Sequence, residues 1–192
     1  MGNKNQSIAV DPIRRQEDID SIKRLLSDSP RDHLLFSLGV NNGIRVVDLL
    51  RLKVKQVMNV KPNEFVRIKE SKTGKTNVLY FNKAVYKSLR NYLDSVKPNS
   101  DDFLFKSRKG DNEPLQSQAV SKLVKKWTKA INLRGSYGAH TLRKTFGYIQ
   151  RTNYGVGFEV LAKRYNHSSP AITMRYLGVE DKEVNGILMN EI

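Results

Sequence analysis

Apolar residues recur at helical spacing along most of the chain, and the exceptions gather in one block. In RRQEDIDSIKRLLSDSP, Ile19, Ile22, Leu25 and Leu26 mark one face of a helix that Pro30 closes. RDHLLFSLGVNNG reads as a second helix ended by Asn41-Asn42-Gly43. IRVVDLLRLKV reads as a short third, with Val46, Leu49 and Leu50 inward. The period then changes to two. EFVRIKE and TNVLYF are rich in β-formers and flank SKTGK, which predicts a small antiparallel sheet over about residues 53–81, turning at Thr73-Gly74. KAVYKSLRNYLDSV is again helical, with Val85, Leu89, Tyr92 and Leu93 on one side. FLF at 103–105 reads as a short buried strand before the loop KSRKGDNEP. QSQAVSKLVKKWTKAI is amphipathic: Val120, Leu123, Val124, Trp127 and Ile131 form its apolar stripe, and Lys122, Lys125, Lys126 and Lys129 line the rest. HTLRKTFGYIQRTN and FEVLAKRYN are helices, and Ser169-Pro170 supplies the N-cap and first-turn pair of another. DKEVNGILMNEI closes the chain as a last helix with Val184, Ile187 and Leu188 apolar. The pattern gives an α+β class, mostly helical, with one small antiparallel sheet. Residues 1–12 read as a lead-in or linker, 13–179 as one domain, and 180–192 as a C-terminal helix or tail.

Composition narrows the partner more than the fold. A chain of 192 residues is long enough for one domain with a proper core. Its 34 Lys+Arg against 19 Asp+Glu give a net charge of +15, spread along the sequence and not gathered in a tail. A polyanion is the expected partner, nucleic acid before an anionic membrane. Cysteine is absent, which excludes disulfides and cysteine metal sites. No apolar run approaches the length of a membrane span. MGNKNQSIAV lacks an apolar signal core, and Gln6 breaks the myristoylation pattern. These features predict a soluble, cytoplasmic protein that faces DNA or RNA.

The candidate chemistry is defined partly by what is missing. His33, His140 and His167 are scattered, with no zinc spacing. SKTGKT lacks the leading glycine of a P-loop, and no serine elbow occurs. No metal or other cofactor is expected. What remains is a set suited to a phosphodiester. Arg45 follows NNG at the expected start of a helix, where anions are favoured. His140 and Arg143 lie three apart on one helical face. Lys72 sits in the turn between the strands, exposed and mobile. Tyr176 follows His167 by nine residues, on a segment crowded with Ser168, Ser169, Thr173 and Arg175. Arginine grips phosphate oxygens with two hydrogen bonds. Tyrosine can be an oxygen nucleophile, and lysine can protonate a leaving oxygen.

The order GIR, SKTGK, HTLRK, NHSS and then Tyr resembles the catalytic domain of the tyrosine recombinases, the phage-integrase family, over about residues 30–178. Each motif is weak alone; the five in this order are specific. The resemblance implies that Arg45 and Arg143 are the catalytic arginines, Lys72 the general acid and Tyr176 the nucleophile. It implies that His140 and His167 orient the phosphate or move a proton, and that Asp48 supports the site. It implies attack on double-stranded DNA, a 3′-phosphotyrosine intermediate and strand exchange without metal or ATP. It also implies a working tetramer on DNA from subunits that are monomers in solution, the last helix packing on a neighbour, an accessory DNA-bending protein and a place at the nucleoid. Two positions depart from the family: Asn166 stands where Gly is common before the histidine, and Lys144 where a second His is common. The family's N-terminal clamping domain has no counterpart here. An excised catalytic domain is the preferred explanation, over a short member like the fimbrial-switch invertases.

Each residue also has a bland reading. Arg45 could pair with Asp48 at a helix end, and Tyr176 could be a packed tyrosine. Lys75 lies in the same turn as Lys72 and competes for its role. The four lysines around Trp127 are either DNA contacts, as is Lys75, or a solvated face over a tryptophan-anchored core. Capping or solvent accounts for Ser168, Ser169 and Arg175 as well as phosphate does, and His33 is an ordinary helix residue. A type IB-like topoisomerase shares the residue set. A non-catalytic DNA-binding protein on the same fold would have no use for it.

Overall fold

The structure, a computed structural model, describes residues 10–178 and Glu191. The first nine residues of the expected lead-in lie outside the described residues. So does all but Glu191 of the expected 180–192 tail, with its Val184, Ile187 and Leu188. Residues 10–12 are tied to the body: the Asp11 N–H donates to Ser136 O at 2.6 Å, and its carboxylate accepts from the Ser136 N–H at 2.9 Å.

Among the described residues, eight α-helices and one hairpin follow. Helix α1 (Gln16–Leu25) buries Ile19 and Ile22, with Leu26 just beyond its end. Leu25, expected on the inner face, is 46% exposed. Positions 19, 22 and 26 keep the i, i+3, i+7 face, and 25 falls off it. Helix α2 (Pro30–Asn42) is buried nearly all round, with Leu34, Leu35, Phe36 and Leu38 at 0% exposure, so it is the central element. It ends on Gly43 at φ 59°, a left-handed conformation that glycine adopts at least cost.

The third predicted helix is shorter than its sequence suggested. Helix α3 spans only Val46–Leu49, and a 3-10 turn follows at Val54–Gln56. Leu50 still has helical backbone at the end of α3, Lys53 is extended, and Leu50, Leu52 and Val54 are all buried, so the chain leaves the helix here while it stays in the core. The Leu52 carbonyl accepts from the Leu104 N–H at 2.8 Å, and Lys53 forms an isolated bridge with Phe103. FLF is therefore an isolated bridge at Phe103 followed by a turn at Leu104 and Phe105, not a strand, and the sheet begins well after residue 53. It consists of β1 (Glu64–Lys69) and β2 (Thr76–Phe81), antiparallel, with Glu64 opposite Phe81 and Lys69 opposite Thr76.

Helix α4 (Lys83–Val96) packs on α2 behind the sheet. Helix α5 (Ser117–Ala130) buries Val120, Val124 and Trp127, whose ring meets Phe36 edge-on at 5.9 Å. Helix α6 (Ala139–Tyr154) crosses α2 closely enough that a Cβ on Gly39 would lie 2.8 Å from Leu142 Cβ. Helices α7 (Phe158–Tyr165) and α8 (Pro170–Leu177) pack on each other around a separate small cluster of Phe158, Leu161, Tyr165 and Leu177. The Ser169 hydroxyl caps α8 by accepting from the Ile172 N–H, with Pro170 in the first turn, as the sequence predicts. Among the described residues no helix is long and apolar enough to cross a membrane.

Candidate active site

Arg45 caps α3 directly after the left-handed turn that ends α2. A four-residue helix carries little dipole, so any anion binding here rests on the side chain and not on the helix end. The Arg45 guanidinium donates to Glu70 Oε2 at 2.6 Å, in place of the alternative pairing with Asp48. Glu70 directly follows the first strand and is only 1% exposed. Burial acts to raise its pKa, but hydrogen bonds from Asn77, Thr73 and Arg45 outweigh burial and hold the carboxyl at about 2. It is therefore a fixed anion that aims Arg45.

Asp48 serves the turn instead. Its Oδ1 accepts from the Ser71 N–H at 2.8 Å and from the Ser71 hydroxyl at 2.7 Å. The Lys72 side chain is exposed as expected, but the backbone beneath it is tethered to α3 and not loose. Lys72 borders a cavity of about 260 Å³ shared with Arg45, Val47, Ser117, His140 and Arg143. Lys75, in the same turn, does not border it.

Helix α6 brings the next pair. The Gly138 N–H donates to Thr141 Oγ1 at 3.0 Å, which anchors the first turn and places His140 and Arg143 at the cavity. His140 stays exposed at its mouth. Partial desolvation, then the charges of Arg143, Arg45, Lys144 and Lys72, hold its imidazole below the ordinary value. Arg143 is 2% exposed and spans the molecule: it donates to Gly43 O at 2.7 Å and to Tyr165 O at 2.8 Å, with its guanidinium carbon 4.3 Å from the Tyr165 ring centre.

The last two residues come from α7 and α8. Asn166 ends α7 at φ 55°, which explains why glycine is common at this position and why asparagine, the side chain that best tolerates this region, replaces it. His167 follows, with Nδ1 2.9 Å from Thr173 Oγ1. Burial, then Arg143 and Arg45, push its pKa down to about 4, so the ring is neutral at physiological pH. The Tyr176 hydroxyl is buried, and its ring packs edge-on against Tyr165 at 5.7 Å and His167 at 5.6 Å. Lys144 Nζ lies 5.3 Å from the Tyr176 ring centre. Burial pushes the phenol up to about 12, against the pull of Arg143 and Arg45.

All six sequence candidates thus converge, four at the cavity and His167 and Tyr176 behind Arg143. Lys122, Lys125, Lys126 and Lys129 stand exposed along α5. Lys125 and Lys129 border a broad open groove with Arg134 at the far end of that helix, and Trp127 is core. Three supporting residues were missed. Glu70 had a signal: it follows Ile68 by two, so the alternation of the strand, continued one residue past its end, turns an acidic residue inward. Tyr165 continues the apolar spacing of Phe158 and Leu161, and its hydroxyl donates to Arg143 O at 2.7 Å. Arg164 had none. It donates to Asn42 O at 2.6 Å, Asn77 Oδ1 at 2.8 Å and Val78 O at 3.0 Å, and so clamps α7 to α2 and the hairpin.

Comparison with known proteins agrees with this geometry. The chain is 36% identical over 175 residues to the "Probable integrase/recombinase YoeC" of Bacillus subtilis, covering 90% of this chain and 91% of that protein. It is 28% identical over 166 residues to the "Tyrosine recombinase" of Pseudothermotoga lettingae, covering 86% of this chain but only 56% of the relative. The chain thus spans about half the length of that larger protein. The fold matches the XerH site-specific recombinase in its post-cleavage complex with a palindromic difH substrate, with TM-score 0.73 and 20% identity over 96% of this chain and 55% of that one. The model of the phage integrase family matches residues 15–183. With its nucleophile candidate on α8 and its arginines on α3 and α6, this chain belongs to the phage integrase family.

Proposed function

We propose that this chain cuts and rejoins double-stranded DNA at specific sites through a 3′-phosphotyrosine intermediate. The observation that carries the reading is the convergence of one buried tyrosine, two arginines and a neutral histidine beside a phosphate-sized cavity rimmed by Lys72. YoeC and the Xer-type relatives carry recombinase names, and the XerH complex holds a DNA substrate after cleavage.

A backbone phosphate enters the cavity between Arg45 and Arg143. Tyr176 does not border that cavity, so attack requires its ring to turn or α8 to shift toward the phosphorus. The phenolic oxygen bonds to phosphorus, and the phenolic proton goes to a neutral imidazole, His167 being adjacent. Charge gathers on the non-bridging oxygens, where each pre-aimed arginine contributes ~3–4 kcal/mol, as donors of oxyanion holes do. The bond to the 5′ oxygen breaks, and Lys72 supplies that oxygen's proton. Asp48 holds the turn that carries Lys72. The phosphotyrosine keeps the energy of the broken bond, so a second 5′-OH reverses the step on a new strand. Lys75 and the α5 lysines add contacts to the DNA backbone. Four subunits on two duplexes, aided by a DNA-bending protein, form the working unit, and the reaction takes place in the cytoplasm at the nucleoid.

A covalent trap tests the reading. The protein is mixed with nicked duplexes from the DNA that flanks its gene, quenched in detergent and run on a denaturing gel beside Tyr176→Phe. The expected result is an adduct in wild type and none in the variant. An adduct that survives Tyr176→Phe refutes the choice of nucleophile.

A further inference from the structure

Thr173 is fully buried on α8, one turn before Tyr176, in a position where a polar side chain needs a partner. Its hydroxyl has one: His167 Nδ1 at 2.9 Å. Thr173 and Tyr176 are three apart on a helix and share a face. His167 lies off the helix, in the turn after α7, and reaches α8 through this bond. The His167 ring also stacks near Tyr165 at 5.2 Å and Tyr176 at 5.6 Å, but ring packing restrains a plane and leaves the two nitrogens interchangeable. The hydroxyl distinguishes them.

We propose that Thr173 is a positioning residue that fixes His167 by Nδ1, presents Nε2 to the phosphate and the phenolic proton, and makes the histidine travel with the nucleophile's helix. This rests on the recombinase reading above. If α8 shifts when Tyr176 attacks, a histidine held only by α7 would be left behind. The bond to Thr173 keeps the two groups in register through the motion. Burial keeps the ring neutral, so one nitrogen carries a proton and the other a lone pair. Nε2 accepts the phenolic proton in the tautomer whose Nδ1–H donates to the Thr173 hydroxyl; in the opposite tautomer Nε2–H can only donate to the phosphate.

Two substitutions separate positioning from packing because they predict opposite orders. Thr173→Val keeps the volume and removes the hydroxyl. Thr173→Ser keeps the hydroxyl and removes a buried methyl. Positioning predicts that adduct formation with the nicked duplex slows about tenfold in Thr173→Val, the loss of one hydrogen bond, and stays within about twofold of wild type in Thr173→Ser. It also predicts that Thr173→Val adds nothing further in a His167→Ala background. Wild-type rates in Thr173→Val, or a slower Thr173→Ser, would overturn the proposal. Nitrogen-detected NMR of the three imidazoles needs no DNA. One fixed tautomer of His167 in wild type and Thr173→Ser, lost in Thr173→Val, supports the assignment; an unchanged tautomer in Thr173→Val overturns it. If wild type forms no adduct while the NMR result holds, the failure lies with the recombinase reading and not with the contact.

Discussion

Removing the Glu70 carboxylate should make stability and pH dependence change together. Glu70→Gln keeps the shape of the side chain but replaces an anion that accepts from Arg45 at 2.6 Å, Thr73 at 2.7 Å and Asn77 at 2.8 Å. A carboxyl held at about 2 against 4.5 when unfolded contributes at most about 3 kcal/mol at neutral pH. Burying the carboxylate costs solvation that partly offsets the pairing, so about 2 kcal/mol is the expected loss. For a chain of this size that lowers Tm by about 4–8 °C. The folded pKa is depressed, so the contribution is fully present above pH 4.5 and disappears as pH falls toward 2. Urea unfolding of both proteins between pH 7 and pH 3 measures it. The gap between them should shrink by more than half at pH 3. A gap that stays constant across that range would show that Glu70 is not an ionised partner in the folded chain, and the argument for an aimed Arg45 would fall with it.

The turn lysines separate by position. Lys72→Ala should slow cleavage by ~10²–10⁴-fold in single-turnover assays, whereas Lys75→Ala should stay within a few-fold. A substrate whose 5′ oxygen is replaced by sulfur, which departs without a proton, should restore Lys72→Ala. Asn166→Gly should unfold within ~0.5 kcal/mol of wild type, because relief of the left-handed backbone offsets the lost amide. Asn166→Ala should lose ~1–2 kcal/mol in the same urea titration. Binding to any duplex should weaken ~10³-fold between 50 and 200 mM salt if about six phosphates are contacted, read by fluorescence anisotropy.

Periodicity located the helices whose one face is buried and the other wet. The stripe of Val120, Val124 and Trp127 on α5 and that of Val85, Leu89 and Tyr92 on α4 are of this kind. The hairpin was legible because β-branched alternation flanks Thr73-Gly74. Periodicity misled where the chain is buried on several sides. Leu50, Leu52 and Val54 fit a helix on composition, but α3 stops at Leu49 and a 3-10 turn begins at Val54, with all three residues buried. The candidate residues for phosphate chemistry were legible because their types are rare in that order. The residues that aim them were not. Arg164 works by reaching three acceptors on elements distant in sequence, and no local spacing encodes that.

The arrangement of the core explains why arginines do so much of the holding. One hydrophobic cluster lies under α1–α6, and a second lies under α7 and α8 and carries Tyr176 at its edge. Apolar side chains could have fused the two into a single core, but a fused core would leave no room for a charged phosphate at the junction. Here the seam is polar. Arg143 joins Gly43 O on one side to Tyr165 O on the other, and Arg164 joins α7 to Asn42, Asn77 and Val78. Each of these bonds donates a charged N–H to an uncharged oxygen acceptor, so the guanidinium charge is not neutralised and stays available to an anion. A close-packed apolar seam would resist motion, whereas a seam of a few directional bonds is compatible with the shift of α8 that the proposed attack by Tyr176 requires. The same bonds that fasten the second cluster to the first therefore leave Arg143 charged at the edge of the cavity, so stability and the proposed phosphate binding draw on one set of side chains.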